Sequence, residues 1–192
     1  QQAARGSPLA VLPGMEVHTV EEVHVLCLFD TLTQLEAWQA HVDAALPHLE
    51  NNAAFFGEQF VVDQTGDFIR RDQRLLLTAT NLSLGDTCEL VTAIGGLAIP
   101  AHVNRKVFGL YGTLGFLPPG LPLEALEISR HISPAEARQR FPDAADLPFL
   151  QNGDVHYLGD FLGACHFQVE QPTIAELRLA LRGQSGRSLV LT

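Results

Sequence analysis

The sequence predicts an α/β fold, a parallel sheet or barrel with helices between its strands. Three observations carry that reading. Short apolar runs of strand character, VHVLCLF (23–29), LAIPA (97–101) and ALEIS (125–129), alternate with segments of helical period. Several helical segments carry their own start and stop residues, such as Ser133-Pro134-Ala135-Glu136 before one and Gly95-Gly96 after another. The chain has 192 residues, 46% hydrophobic and 18% charged, enough for one domain with a sizeable core. In parallel α/β folds, ligands gather at the carboxyl ends of the strands. Chemically capable polar residues are therefore expected just after the apolar runs.

The elements follow in order. Val11-Leu12 leads into PGMEVHT, and the strand at 23–29 follows. TLTQLEAWQAHVDAAL has helical period through Leu35, Trp38, Val42 and Leu46, with Thr33 and Glu36 placed to form a capping box. Residues 53–77 contain FVVDQTGDFI, two apolar pieces around Gln64-Thr65-Gly66, which reads as a hairpin inserted into the α/β frame. A helix is predicted over 83–94, from Ser83 to the Gly95-Gly96 stop, and the Gly- and Pro-rich stretch 112–122 reads as a loop. A short strand over 125–129 precedes the helix SPAEARQRF. GDVHYLGD follows, then HFQVE as a strand, TIAELRLALR as a helix capped by Thr173 and Glu176, and SLVLT as a terminal strand. No repeat or low-complexity tract divides the chain, so residues 1–192 read as a single domain.

Bulk properties narrow the function. A net charge of −10 argues against a broad basic surface for duplex DNA, which needs many phosphate contacts. It leaves room for a small phosphorylated substrate held by metal ions and one or two arginines. Cys27, Cys88 and Cys165 are odd in number and widely spaced, and two lie inside apolar patterns. They read as reduced thiols of a cytoplasmic protein. No apolar run has membrane-spanning length and no signal peptide is visible.

Polar residues do fall where the fold demands them. Glu16 follows Val11-Leu12 and the turn Pro13-Gly14, His24 lies in VHVLCLF, His102 ends LAIPA, and Asp154 and His156 share GDVHY. In extended backbone, residues i and i+2 project to one side, so Asp154 and His156 are expected to act together. Carboxylate with imidazole suits zinc, manganese or iron. Each residue also has a plainer reading. Glu16 could be a surface carboxylate, His24 a core histidine, His102 a hydrogen-bonded strand-end histidine and Asp154 a turn residue. His18, His41, His48, His131 and His166 show no comparable pattern, although His18 shares the Glu16 segment.

PGMEVHTVEEVHVLCLF, GGLAIPAHVNR, ALEIS and GDVHYLGD together resemble the PHP family of metal-dependent phosphoesterases, named for polymerases and histidinol phosphatases. The resemblance runs from about residue 11 to about 165, and Pro-Ala-His and Asp-x-His are its more specific parts. It implies a distorted seven-stranded (β/α) barrel, TIM-like, with two or three divalent metal ions at the carboxyl ends of its strands. By that resemblance Glu16, His24, His102, Asp154 and His156 are metal ligands, and Arg105 is a candidate phosphate contact, or else a surface arginine. Two departures stand out. Gly153 occupies the place where the family usually has serine, and the family's first motifs, Asp-x-His-x-His and Thr-Asp-His, are absent. Those motifs and their strands would precede residue 1, so the chain is expected to hold part of a metal site. The implied function is hydrolysis of a phosphorylated small molecule, nucleotide or oligonucleotide end. The alternatives are a non-catalytic PHP-like regulatory or assembly subunit and a metal-dependent amidohydrolase.

Overall fold

The computed structural model describes residues 1–192. Strands β1 (Gly14–His18) and β2 (His24–Leu28) form a hairpin, followed by helix α1 (Leu32–Ala45) and the short turn of helix α2 (Ala53–Phe56). The inserted hairpin is β3 (Phe60–Val62) and β4 (Phe68–Arg71), close to where its pattern placed it. Helix α3 (Leu84–Ala93), β5 (Leu97–Pro100), α4 (Leu110–Thr113), β6 (Leu126–Ser129), α5 (Pro134–Arg140) and β7 (Phe149–Asn152) continue the chain. It ends with β8 (Cys165–Gln168), α6 (Ile174–Leu181) and β9 (Ser188–Leu191).

The helices and strands that the sequence pattern named are present, but α2, α4 and β7 lie where it named none, and the strand pairing differs from the expected parallel one. β1, β2 and β5 form one sheet in that order, and both of its pairings are antiparallel. Only β6 and β7 pair parallel, while β8 and β9 form a separate antiparallel pair. The architecture is therefore mixed α/β with small sheets and no closed barrel. The strand-helix alternation misled at its start. Only five residues separate β1 from β2, too few for the crossover that a parallel pair requires.

Local chemistry explains the helix boundaries. Thr31, in extended conformation, caps α1: its hydroxyl accepts from the Gln34 amide while the Gln34 side chain accepts from the Thr31 amide. That capping box lies two residues earlier than the expected Thr33 and Glu36, because Thr33 is already helical. Ser83 with Asp86, and Ser133 with Glu136, close the same box on α3 and α5. Helix α3 stops in a Schellman motif. The Gly95 amide donates to Thr92 and the Gly96 amide to Val91, with Gly95 at φ 90°. At Gly96 a side chain would strike the Phe29 ring and the Leu28 carbonyl, so the chain can pass directly into β5 only with glycine there.

The main core gathers Val25, Cys27, Phe29, Trp38, Cys88 and Val91 between the sheet and helices α1 and α3. A smaller cluster under α6 includes Leu97, Ile99, Leu150 and Ile174. All three cysteines are free, and burial pushes the Cys88 thiol up to about 12. No helix is long and apolar enough to cross a membrane.

Candidate metal centre

The antiparallel sheet brings three donors together. In the β1–β2 register His18 faces His24 and Glu16 faces Leu26, so Glu16 and His24 are diagonal neighbours. Strand β5 runs against β2, and the Ala101 amide donates to the His24 carbonyl, which delivers the next residue, His102, to the same corner. His24 Nδ1 lies 3.5 Å from Glu16 Oε2, and His102 Nε2 lies 3.6 Å from Glu16 Oε1. One donor atom from each residue falls within 4.8 Å of the others.

These residues fit a divalent cation. Ligand bonds of about 2.1 Å in a tetrahedron put donor atoms about 3.4 Å apart, close to both separations. The His102 ring is 1% exposed, and its Nδ1 is buried without a partner. Two imidazole nitrogens and a carboxylate share the corner at separations too long for good hydrogen bonds and matched to a common cation. The imidazole of His102, and then that of His24, hold the Glu16 pKa well below the usual carboxylate range, so the anion persists through the working pH range.

Behind this corner stands Glu127 on β6, which the sequence reading passed over. It is 5% exposed, its Oε1 accepts from the His102 amide at 3.3 Å, and its Oε2 accepts from Asn152 Nδ2 at 3.0 Å. Burial pushes its pKa up, while Asn152 and the His102 amide oppose that shift. The signal was available in ALEIS: a glutamate inside an apolar strand must find partners or be expelled. His102 itself turns out of β5 with φ 32°, and the Glu127 carboxylate and carbonyl hold that turn through the amides of His102 and Val103.

His18 also belongs to this corner, edge-on to the His24 ring at 4.9 Å. Burial first, and then the nearby His24 charge, push its pKa below the ordinary 6.5. The unfolded chain therefore takes up this proton at higher pH than the folded chain does. The histidine does not oppose folding above pH 6.5 and costs stability as the pH falls below it. Melting temperatures of metal-free protein should drop between pH 7 and pH 5.5, and His18→Phe should shrink that drop.

Asp154 and His156 are arranged differently from the expectation. Strand β7 ends at Asn152, and Asp154 has φ 50°, so the two residues do not share the face of an extended segment. The His156 ring is largely exposed, with Nδ1 2.8 Å from the Asp154 carbonyl, a contact that raises its pKa. Asp154 instead pairs with Arg105, at 2.6 Å from Nη2 to Oδ2. The two side chains neutralise each other, and Asp154 lines a cleft of about 480 Å³ together with Glu16, Leu26, Glu127 and Phe161. A second cavity, about 460 Å³, lies on the side of β1 next to α1 and the inserted hairpin, lined by His18, Asp43, Asp72 and Arg74 among others.

Gly153 has a local reason. Arg130 Nη2 donates to both the Gly153 carbonyl, at 2.9 Å, and the Asp160 carbonyl, at 2.6 Å, which folds residues 153–160 back on themselves. A side chain at 153 would collide with the Asp160 carbonyl and crowd the Arg130 guanidinium. Gly153→Ser should destabilise the protein by about 1–3 kcal/mol, seen as a lower denaturation midpoint, because this site has no room to relax.

No family model and no curated protein matches the chain. Solved structures do, among them two forms of endonuclease Q. The lesion-specific endonuclease PfuEndoQ from Pyrococcus furiosus aligns over 92% of this chain with a TM-score of 0.67 and 23% identity. Endonuclease Q in complex with a 27-mer duplex substrate, an abasic lesion at its active site, aligns over 91% with a TM-score of 0.64 and 22% identity. The chain spans 40% of the length of each. The charge argument against duplex DNA is thereby corrected: an endonuclease that includes this fold is solved on a duplex. Net charge is a sum over the whole surface and does not report the field at one cleft. What the comparisons establish for this chain is the fold it shares with part of endonuclease Q.

Proposed function

We propose that the protein takes part in metal-dependent hydrolysis of a phosphodiester bond in DNA. The observation that carries this reading is the Glu16–His24–His102 donor cluster, set in a fold shared with an endonuclease. Those three residues hold a divalent cation, and their mixed oxygen and nitrogen character suits zinc, manganese or iron. A cation bound there supplies Lewis acidity toward a phosphate oxygen and toward water.

The remaining roles belong to side chains around the cleft. Buried Glu127 lines the cleft, and Glu127 and Asn152 set the direction in which His102 leaves β5. Arg105 is the phosphate contact: its guanidinium, held to Asp154 through a single Nη2–Oδ2 contact, can exchange that carboxylate for a phosphate, which it can bind through two nitrogens. Freed in that exchange, Asp154 and its neighbour His156 are further donors at the rim. Tyr157, Leu158 and Phe161 are strongly exposed on the adjoining loop, and Phe161 lines the cleft. Large exposed apolar side chains beside a cleft suit unstacked or interrupted base steps.

The test uses a duplex oligonucleotide with one abasic site and an undamaged duplex of the same sequence. With manganese or zinc, a nick in the damaged strand is expected, and EDTA should abolish it. Absence of lesion-dependent cleavage with every metal, or cleavage indifferent to EDTA, overturns the reading. Metal binding without cleavage would favour the non-catalytic subunit.

A further inference from the structure

We propose that Phe108 is a positioning residue that clamps the imidazole of His24 and so fixes the direction from which it meets Glu16. The chain leaves β5 at His102 and turns through an Arg105 amide to His102 carbonyl bond of 2.9 Å. It then returns to the start of β2, where the Phe108 carbonyl accepts from the His24 amide at 3.0 Å. The Phe108 ring lies parallel to the His24 ring, with centroids 4.6 Å apart and planes 4° from coincidence. His18 abuts both rings edge-on, at 4.9 Å and 73° to each.

The backbone marks this contact as more than incidental. Phe108 has φ 61°, a left-handed conformation that disfavours a bulky aromatic residue and is normally left to glycine or asparagine. Strain of this kind persists where the surroundings over-determine a residue, and such places cluster at functional sites. The ring is also 36% exposed, so core packing alone does not account for it. Its geometric effect is direct. An imidazole lone pair lies in the plane of its ring, and rotation of the ring would swing Nδ1 away from the Glu16 carboxylate. A parallel ring against its face resists that rotation. Glu16 and the buried His102 are held by the sheet and by Glu127, whereas His24, its side chain 22% exposed, has no second hydrogen-bonding side chain fixing its plane.

This inference rests on the reading of Glu16, His24 and His102 as a metal site, and its test has one arm that does not. Phe108→Asn tolerates the left-handed backbone and keeps the carbonyl acceptor while removing the ring, and Phe108→Tyr keeps the ring. Titration of each full-length variant with zinc or manganese should give about tenfold weaker binding for Phe108→Asn, with Phe108→Tyr close to wild type. Circular dichroism checks that both variants are folded. Unchanged affinity in folded Phe108→Asn, or equal loss in both variants, overturns the clamp. The independent arm is proton NMR of the metal-free wild type. His24 ring protons should be shifted upfield by the Phe108 ring, and shifts equal to those of an exposed histidine overturn the proposal. If the wild type binds neither metal, the metal-site reading fails, and the NMR shift alone decides whether Phe108 holds His24.

Discussion

His102→Ala should weaken binding of zinc or manganese by at least about 100-fold and abolish metal-dependent cleavage, while leaving the metal-free protein folded. The magnitude follows from what the residue does. Loss of a residue that merely supports a ligand typically costs about 10–100-fold in affinity, and His102 is itself one of the three donors. Its ring is buried, so removal leaves Glu16 Oε1 beside a small cavity that no neighbouring nitrogen fills. The backbone at φ 32° is held by Glu127 through the main-chain amide, a contact that alanine retains. Equilibrium dialysis measures the affinity and a thermal melt checks the fold. Wild-type affinity in His102→Ala would remove this residue from the site.

Glu127→Ala should act on stability first, lowering it by about 2–4 kcal/mol in chemical denaturation. Two donors, the His102 amide and Asn152 Nδ2, lose their acceptor in a buried place, and each unsatisfied group costs about 1–3 kcal/mol. Part of that loss is offset, because burial already disfavours the Glu127 anion. Glu127→Gln keeps one acceptor oxygen and should lose less than half as much. The pH dependence has a definite sign. A carboxyl whose folded pKa is raised contributes stability below its ordinary value of 4.5 and loses it as the pH rises through the folded value. The stability gap between wild type and Glu127→Gln should therefore narrow as the pH is raised from 4 to 7. A gap that widens would mean that the anion is better accommodated than its burial implies.

Helix boundaries were legible because they are set locally. Ser83, Ser133 and Thr173 accept from the amides of Asp86, Glu136 and Glu176, as their spacing predicts. Strand direction was not legible, because alternation of element types says nothing about which way neighbours run. That error reached the site by an instructive route. His24 was noted as strand-associated under a rule about the carboxyl ends of parallel strands, yet it opens β2. It meets Glu16 and His102 because antiparallel pairing sets the start of β2 beside the ends of β1 and β5. The expected common face of Asp154 and His156 fails for a different reason. The i, i+2 argument presumes extended backbone, and a left-handed residue just beyond β7 cancels it. Phe108 lies in VNRKVFG, where nothing in the residue order announces a ring stacked on a histidine far back in the chain.

The placement of the donors has a consequence for folding. Glu16 and His24 lie on one hairpin of neighbouring residues, whereas His102 lies beyond α1, the inserted hairpin and α3 in the chain. A cation held by all three would tie that hairpin to the far end of β5, as a covalent cross-link would. It would bind the finished sheet and not its parts, so a chelator would be felt as lost resistance to unfolding across the whole first half of the chain.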